Sequence, residues 1–228
     1  MKVFIDIETV ADTDSPVIQG LLDSVEPDER LVDPAKIQAS IDKKRSKILD
    51  EAALSPLTGK IICYSLIARD YDGEAKTEST EVINMGAINN EIDLLNKLKL
   101  VISTISGRTF LNQIDTIVSF NGKSFDIPFL ITRCAIHGIE SMFKPSNRYE
   151  LNHHFDIRSA LTNFDQFGKG TLTDWCRAFG IKLETAHIVG SDISKLWKSG
   201  KYQDIKDKCL EDVNLMYKLY YRIANYYI

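Results

Sequence analysis

The chain lacks the marks of thiolate metal chemistry, of a membrane span and of a bulk polyanion binder. Its 228 residues hold four cysteines, Cys63, Cys134, Cys176 and Cys209. They lie far apart in apolar or helical stretches, and no Cys-x-x-Cys pair occurs. This argues against a zinc site and predicts buried, reduced thiols in a cytoplasmic protein. No apolar run approaches the length of a bilayer span. Met1 to Asp6 place an acid inside the first apolar run, which predicts an immediate strand rather than a signal peptide. An excess of positive charge is also missing. Lys and Arg number 28 against 32 Asp and Glu, for a net charge of −4. That is not the footprint of a protein that coats nucleic acid electrostatically. A site rich in carboxylates remains open, because bound divalent cations reverse the local sign. No repeat, low-complexity tract or linker divides the chain, so one domain over 1–228 is expected.

What is present is a regular alternation of elements. Residues 2–7 read as a strand and 11–32 as acidic and irregular. Asp33-Pro34 opens a helix, with an acid as N-cap and proline in the first turn. Ile37, Ile41, Ile48 and Ala52 form its apolar stripe, and Lys43, Lys44, Arg45 and Lys47 fall largely off it. Residues 11–58 therefore read as a helical insertion between the first two strands. Lys60–Arg69 is a strong strand, Asp72-Gly73 a hairpin turn, and Thr80–Met85 a third strand. A helix over Asn90–Ile105 starts with a capping-box pattern at Asn90 and Asp93. Thr116–Phe120 is a short buried strand, followed by a turn at Asn121-Gly122 and a helix from about Phe125 to His137. Short helices fill the stretch between Ser159 and Trp197. The last helix covers about Tyr202–Tyr226, with Ile205, Cys209, Val213, Met216, Tyr220 and Ile223 spaced by three and four. A hairpin followed by βα units predicts an α/β fold with a mixed sheet and flanking helices.

Three short segments carry candidate chemistry. In Phe4-Ile5-Asp6-Ile7-Glu8-Thr9, Asp6 and Glu8 lie two apart on a strand and so share a face, while Ile5 and Ile7 point to the core. Two adjacent carboxylates repel unless a cation lies between them, and oxygen ligands suit magnesium or manganese. A second Asp-x-Glu, Asp72-Gly73-Glu74, falls in a turn and is expected to face water. In Ser119-Phe120-Asn121-Gly122-Lys123-Ser124-Phe125-Asp126-Ile127-Pro128-Phe129-Leu130 a strand ends, a turn follows and a helix begins with Asp126 in its first turn. Asp126 either stabilises the helix N-terminus through the macrodipole or belongs to the same chemistry as Asp6 and Glu8. Phe125 beside it is placed to stack on a nucleobase. In Lys208-Cys209-Leu210-Glu211-Asp212-Val213, Asp212 borders the apolar stripe of the last helix, where an acid needs a partner or a metal.

In this order, the three segments resemble the exonuclease motifs of the four-carboxylate (DEDD) 3′-5′ exonucleases. They are most similar to the proofreading exonuclease domain of family-B DNA polymerases and its stand-alone bacterial and phage relatives. Ala53–Ile61, His154-Phe155-Asp156-Ile157 and Leu172–Cys176 resemble connecting stretches of that group. The resemblance implies a ribonuclease-H-like fold and two divalent cations, Mg2+ or Mn2+, held by Asp6, Glu8, Asp126 and Asp212. It implies in-line hydrolysis of a single-stranded DNA 3′ end to nucleoside monophosphates. It also implies substrate contacts from Thr9, Asn121 and Phe125. No polymerase domain is seen, so a replication or repair partner would act in trans.

One position departs from the pattern. Relatives carry tyrosine four residues before the last aspartate, and a sister group carries histidine five before it. Here those positions are Lys208 and Asp207. Lys208 and Asp212 share a helix face. Three readings of Lys208 stay open: a simple ion pair, a catalytic ammonium toward nucleophile or phosphate, and a substitution that silences the enzyme. His187 is a further, weaker candidate to swing in from its loop. The Lys43–Lys47 cluster either lines a phosphate groove or is a solvated helix face. Trp175 and Trp197 are expected in the core. The alternatives to a DNA exonuclease are a ribonuclease of the same fold and a silent nucleic-acid-binding protein.

Overall fold

From Val3 to Val10 the first strand is apolar on both faces apart from Asp6, Glu8 and Thr9, as suits a strand at the middle of a sheet. In the computed structural model, which describes residues 1–69, 75–82, 90–105, 114–183 and 188–227, it occupies that place. Strand β1 (Lys2–Ala11) pairs antiparallel with β2 (Gly59–Arg69) and parallel with β4 (Thr116–Ser119). β3 (Ala75–Val82) continues the antiparallel side, β5 (His154–Asp156) the parallel side, and the order is β3-β2-β1-β4-β5. The mixed sheet expected from the element order is thus present.

Side-chain alternation divides the core into two clusters. Val3, Ile5 and Ile7 face helix α3 (Glu91–Ile105) and helix α4 (Asp126–Ile136), with Leu94, Leu98, Ile127 and Leu130. Phe4 faces the long helix α8 (Tyr202–Ile223), with Val213, Met216 and Tyr220. Asp6 and Glu8 follow Phe4 at the strand period, so they project on the α8 side. A register shift in the β1–β2 ladder falls between Glu8 and Thr9. Such bulges re-aim side chains and recur beside active sites.

The parallel side of β1 ends early. β4 pairs with Lys2, Val3 and Phe4 only. Beyond Phe4 the open edge of β1 meets the turn and helix that follow β4. This crevice at the carboxyl ends of parallel strands is where α/β sheets commonly place their ligands.

Between β1 and β2 the chain forms two helices, α1 (Pro16–Asp23) and α2 (Pro34–Ala52). Asp33 caps α2 as the sequence predicts, through bonds from the Ala35 and Lys36 amides. Helix α1 corrects the reading of 11–32 as irregular. Its signals were local: Ser15 accepts from the Val17 amide, Pro16 sits at the first helical position, and Ile18 is buried. The Asn90–Asp93 capping box forms reciprocally. The short helices are α5 (Ile157–Leu161), α6 (Leu172–Ala178) and α7 (Ile193–Lys198). The third strand begins earlier than expected, at Ala75. The Asp72-Gly73 turn, Glu74 and His187 lie outside the described residues.

Candidate active site

The carboxylates come from three places in the chain and meet at the open edge of β1. Asp6 and Glu8 are brought by β1. Asp126 opens α4, and its Oδ1 accepts a 3.1 Å hydrogen bond from the Ile7 amide, a β1 donor beyond the end of β4. Asp212 is brought by α8, one turn after Lys208. The Lys208 ammonium lies 2.5 Å from Glu8 Oε1 and 2.8 Å from Asp212 Oδ2. Lys208 is 11% exposed and Asp212 24%. Among the described residues, Asp6, Glu8 and Cys209 offer atoms that all lie within 4.8 Å of one another.

Burial and mutual repulsion govern the ionisation of this cluster. Asp6 is raised well above the usual carboxylate range, by desolvation first and then by Asp126, Glu8 and Asp212, with Lys208 opposing. Glu8 is raised by burial, against which Lys208 pulls down. Burial pushes Asp126 up to about 7, although the Ile7 amide favours its charged form. Burial pulls the Lys208 ammonium down, but Glu8, Asp212 and Asp6 outweigh it and hold it well above its ordinary value. Buried Glu8 and Asp126 and half-buried Asp6, raised together, form a donor set that a hard cation would relieve, and all four carboxylates supply hard oxygen ligands. The residues present therefore fit divalent metal.

Cys209 is buried, as its place in the apolar stripe predicts, and it does more than fill space. Its Sγ donates to Asp6 Oδ2 at 3.5 Å. Burial raises the thiol well above its ordinary value, which favours the neutral, donating form.

Asp156, quoted above only within a connecting stretch, has a structural part to play. It is fully buried and accepts from the amides of Asn121 and Lys123 at 3.0 Å each, and from Ser159 at 3.1 Å. It thereby fixes the turn that delivers Asp126. Asn121 adopts φ 66°, and its side chain accepts from Arg158 at 2.9 Å. Gly122 sits where a Cβ would lie 2.4 Å from Ser119 Oγ, so no larger residue fits unshifted. A cue for Asp156 was available: it stands directly before a helical run, an N-cap position.

A groove of about 790 Å³ opens beside the carboxylates. Glu8, Thr9 and Phe125 line one wall, α2 contributes Lys47 and α7 contributes Lys195 and Lys198. Phe125 is half-buried and leans on Phe129, with ring centroids 5.4 Å apart. Thr9 is buried, and its hydroxyl donates to the Ala53 carbonyl at 2.6 Å. Of the Lys43–Lys47 cluster only Lys47 reaches the groove. Lys44 instead donates to the Glu26 carbonyl. Asn121 is not among the lining residues. Trp197 is buried as expected, and Trp175 packs half-buried against the second core cluster.

A family profile described as a predicted 3′-5′ exonuclease related to the exonuclease domain of PolB matches residues 57–227. The chain belongs to this family. The matched stretch of this exonuclease family contains Asp126, Asp156, Lys208 and Asp212, and Asp6 and Glu8 precede it. Among solved structures the chain is similar to the family B DNA polymerase from the hyperthermophilic archaeon Pyrobaculum calidifontis, with a TM-score of 0.58 and 16% identity. The similarity covers 98% of this chain and 24% of that polymerase chain. At this identity it speaks to the fold, which is the ribonuclease-H-like mixed sheet with flanking helices. No curated protein matches by sequence. No helix among the described residues is long and apolar enough to cross a membrane.

Proposed function

We propose that the chain is one metal-dependent exonuclease domain, with the helical insertion between β1 and β2, that removes nucleotides from the 3′ end of single-stranded DNA. The observation that carries this reading is the meeting of Asp6, Glu8, Asp126 and Asp212, from β1, α4 and α8, beside a groove edged by lysines. Asp6, Glu8, Asp126 and Asp212 would hold Mg2+ or Mn2+. Such a cation, when bound, lowers the pKa of water and stabilises charge on a departing oxygen.

The chain's own residues would do the rest. The Ile7 amide holds Asp126 in place, and the Cys209 thiol orients Asp6. Lys47, Lys195 and Lys198 would attract the phosphate backbone along the groove. Phe125 presents a half-exposed ring on which the terminal base would stack. The Lys208 ammonium places a fixed positive charge at the carboxylates, where negative charge develops in phosphoryl transfer. Four buried, unpaired thiols suit a reducing cytoplasm. A partner that supplies the 3′ end in replication or repair would act in trans.

A second reading is a silent nucleic-acid-binding protein, favoured by the ion pairs that Lys208 makes with two of the acids. Digestion of a 5′-labelled single-stranded DNA oligonucleotide with manganese or magnesium separates the two. A ladder shortening from the 3′ end, lost in Asp6→Ala, is expected. A matched RNA degraded in place of DNA would make the chain a ribonuclease. A folded, metal-stabilised protein that cuts neither would establish the silent reading instead.

A further inference from the structure

The Lys208 ammonium bridges two of the four carboxylates, Glu8 and Asp212, at 2.5 and 2.8 Å. With 11% of the side chain exposed, this is not a pair shared with bulk water. Lys208 and Asp212 are one turn apart on the same helix, and Glu8 is fixed in the central strand. The ammonium is therefore held from both sides by rigid elements. A magnesium ion binds oxygens at about 2.0–2.1 Å and demands near-octahedral space. A nitrogen at hydrogen-bond distance from both oxygens fills that space and repels a second positive charge. Admitting an ion there would strip Lys208 of two charge-assisted hydrogen bonds in a site largely shut off from water.

The other two acids are engaged differently. Asp126 accepts from the Ile7 amide and Asp6 from the Cys209 thiol. Both donors are neutral, so neither bond brings a positive charge to its carboxylate. Asp126 bonds the amide of Ile7, the residue next to Asp6, so both acids stand at the same point of β1.

We propose that Lys208 replaces one of the two divalent cations, so that the centre loads a single metal ion, against Asp6 and Asp126. The inference rests on the exonuclease reading above and narrows it, since Glu8 and Asp212 then hold the lysine in place of a second ion. The lysine supplies one permanent positive charge and the ion supplies the other.

The test is the number of Mn2+ ions bound per chain, measured by isothermal titration on metal-free wild type, Lys208→Ala and Lys208→Tyr. Circular dichroism verifies folding, and the tyrosine variant retains bulk at the position if the alanine variant unfolds. One ion in the wild type and two in the folded variants is expected. Activity against Mn2+ concentration should then saturate hyperbolically in the wild type. Two ions in the wild type would overturn the inference and leave the exonuclease reading intact. One ion in all three proteins would also overturn it, because Lys208 would not be what excludes the second. No binding in any protein would remove the inference together with the metal-dependent reading beneath it.

Discussion

Asp156 Oδ1 and the Asn121 amide are joined by a 3.0 Å hydrogen bond across 35 residues, tying the end of β5 to the turn after β4. The same carboxylate caps α5 and accepts from Lys123. Asp156→Ala leaves three amide donors without this acceptor, at roughly 3–5 kcal/mol in total. Urea denaturation should show that loss, and nuclease activity per folded molecule should fall because Asp126 is no longer held. An unchanged midpoint would mean the turn stands without Asp156.

Asp6→Ala should abolish both activity and metal stabilisation. At about a hundredfold excess over Kd, a bound ion adds about 2.7 kcal/mol to the folded state. For a chain of this length that raises Tm by roughly 5–10 °C. The wild type should show this shift in manganese and Asp6→Ala should not. An active Asp6→Ala protein would refute the site.

The metal-free protein should lose stability as pH rises from about 4 to about 7. Asp126 is raised from 3.8 to about 7, and Asp6 and Glu8 are raised with it. In that window the folded state holds protons that the unfolded state has released, so raising the pH favours unfolding. Melting in chelator across the window should show the decline. Manganese should flatten or reverse it, since binding displaces the protons. Asp126→Asn should make the metal-free slope shallower. A metal-free Tm that climbs from pH 4 to 7 contradicts this account.

Lys47→Ala should raise KM for single-stranded DNA a few-fold at unchanged kcat. It should also reduce the salt dependence of binding by about 0.7 in log–log slope. Lys47 lines the groove, and its pairing with Glu51 is exposed and weak. Lys43 is exposed and not among the groove residues, so Lys43→Ala should leave both quantities alone. Equal effects at the two positions would place the substrate elsewhere.

Glu91→Ala should destabilise the fold by roughly 3–5 kcal/mol, because it takes the main ion partner from a buried guanidinium and leaves it only Asp12. Glu91 Oε2 lies 2.5 Å from Arg133 Nη2, and Oε1 accepts from the Ile61 amide at 2.8 Å. Arg133 also reaches Asp12 at 3.1 Å, so the network binds α3, α4, β2 and the end of β1. Thermal melting would measure the loss. A near-neutral variant would show that water or Asp12 alone satisfies Arg133.

The alternation of Phe4 to Glu8, the proline-marked start of α2 and the three-four spacing of α8 are local patterns. They predicted the central strand, the capped helix and the buried face correctly, because period and capping depend on near neighbours. The motifs identified Asp6, Glu8, Asp126 and Asp212 as candidates for the same reason: each stands in a short, recognisable frame. The sequence could not reveal which long-range partners those residues meet. That the Ile7 amide serves Asp126, that Cys209 donates to Asp6 and that Asp156 fixes the Asn121 turn all depend on where β4 stops and how α8 crosses the sheet. Lys208 shows the division most plainly. Its pairing with Asp212 follows from helical spacing, but its bond to Glu8, 200 residues away, exists only because α8 packs over the central strand. Local chemistry chose the charges, and tertiary packing decided which of them face one another.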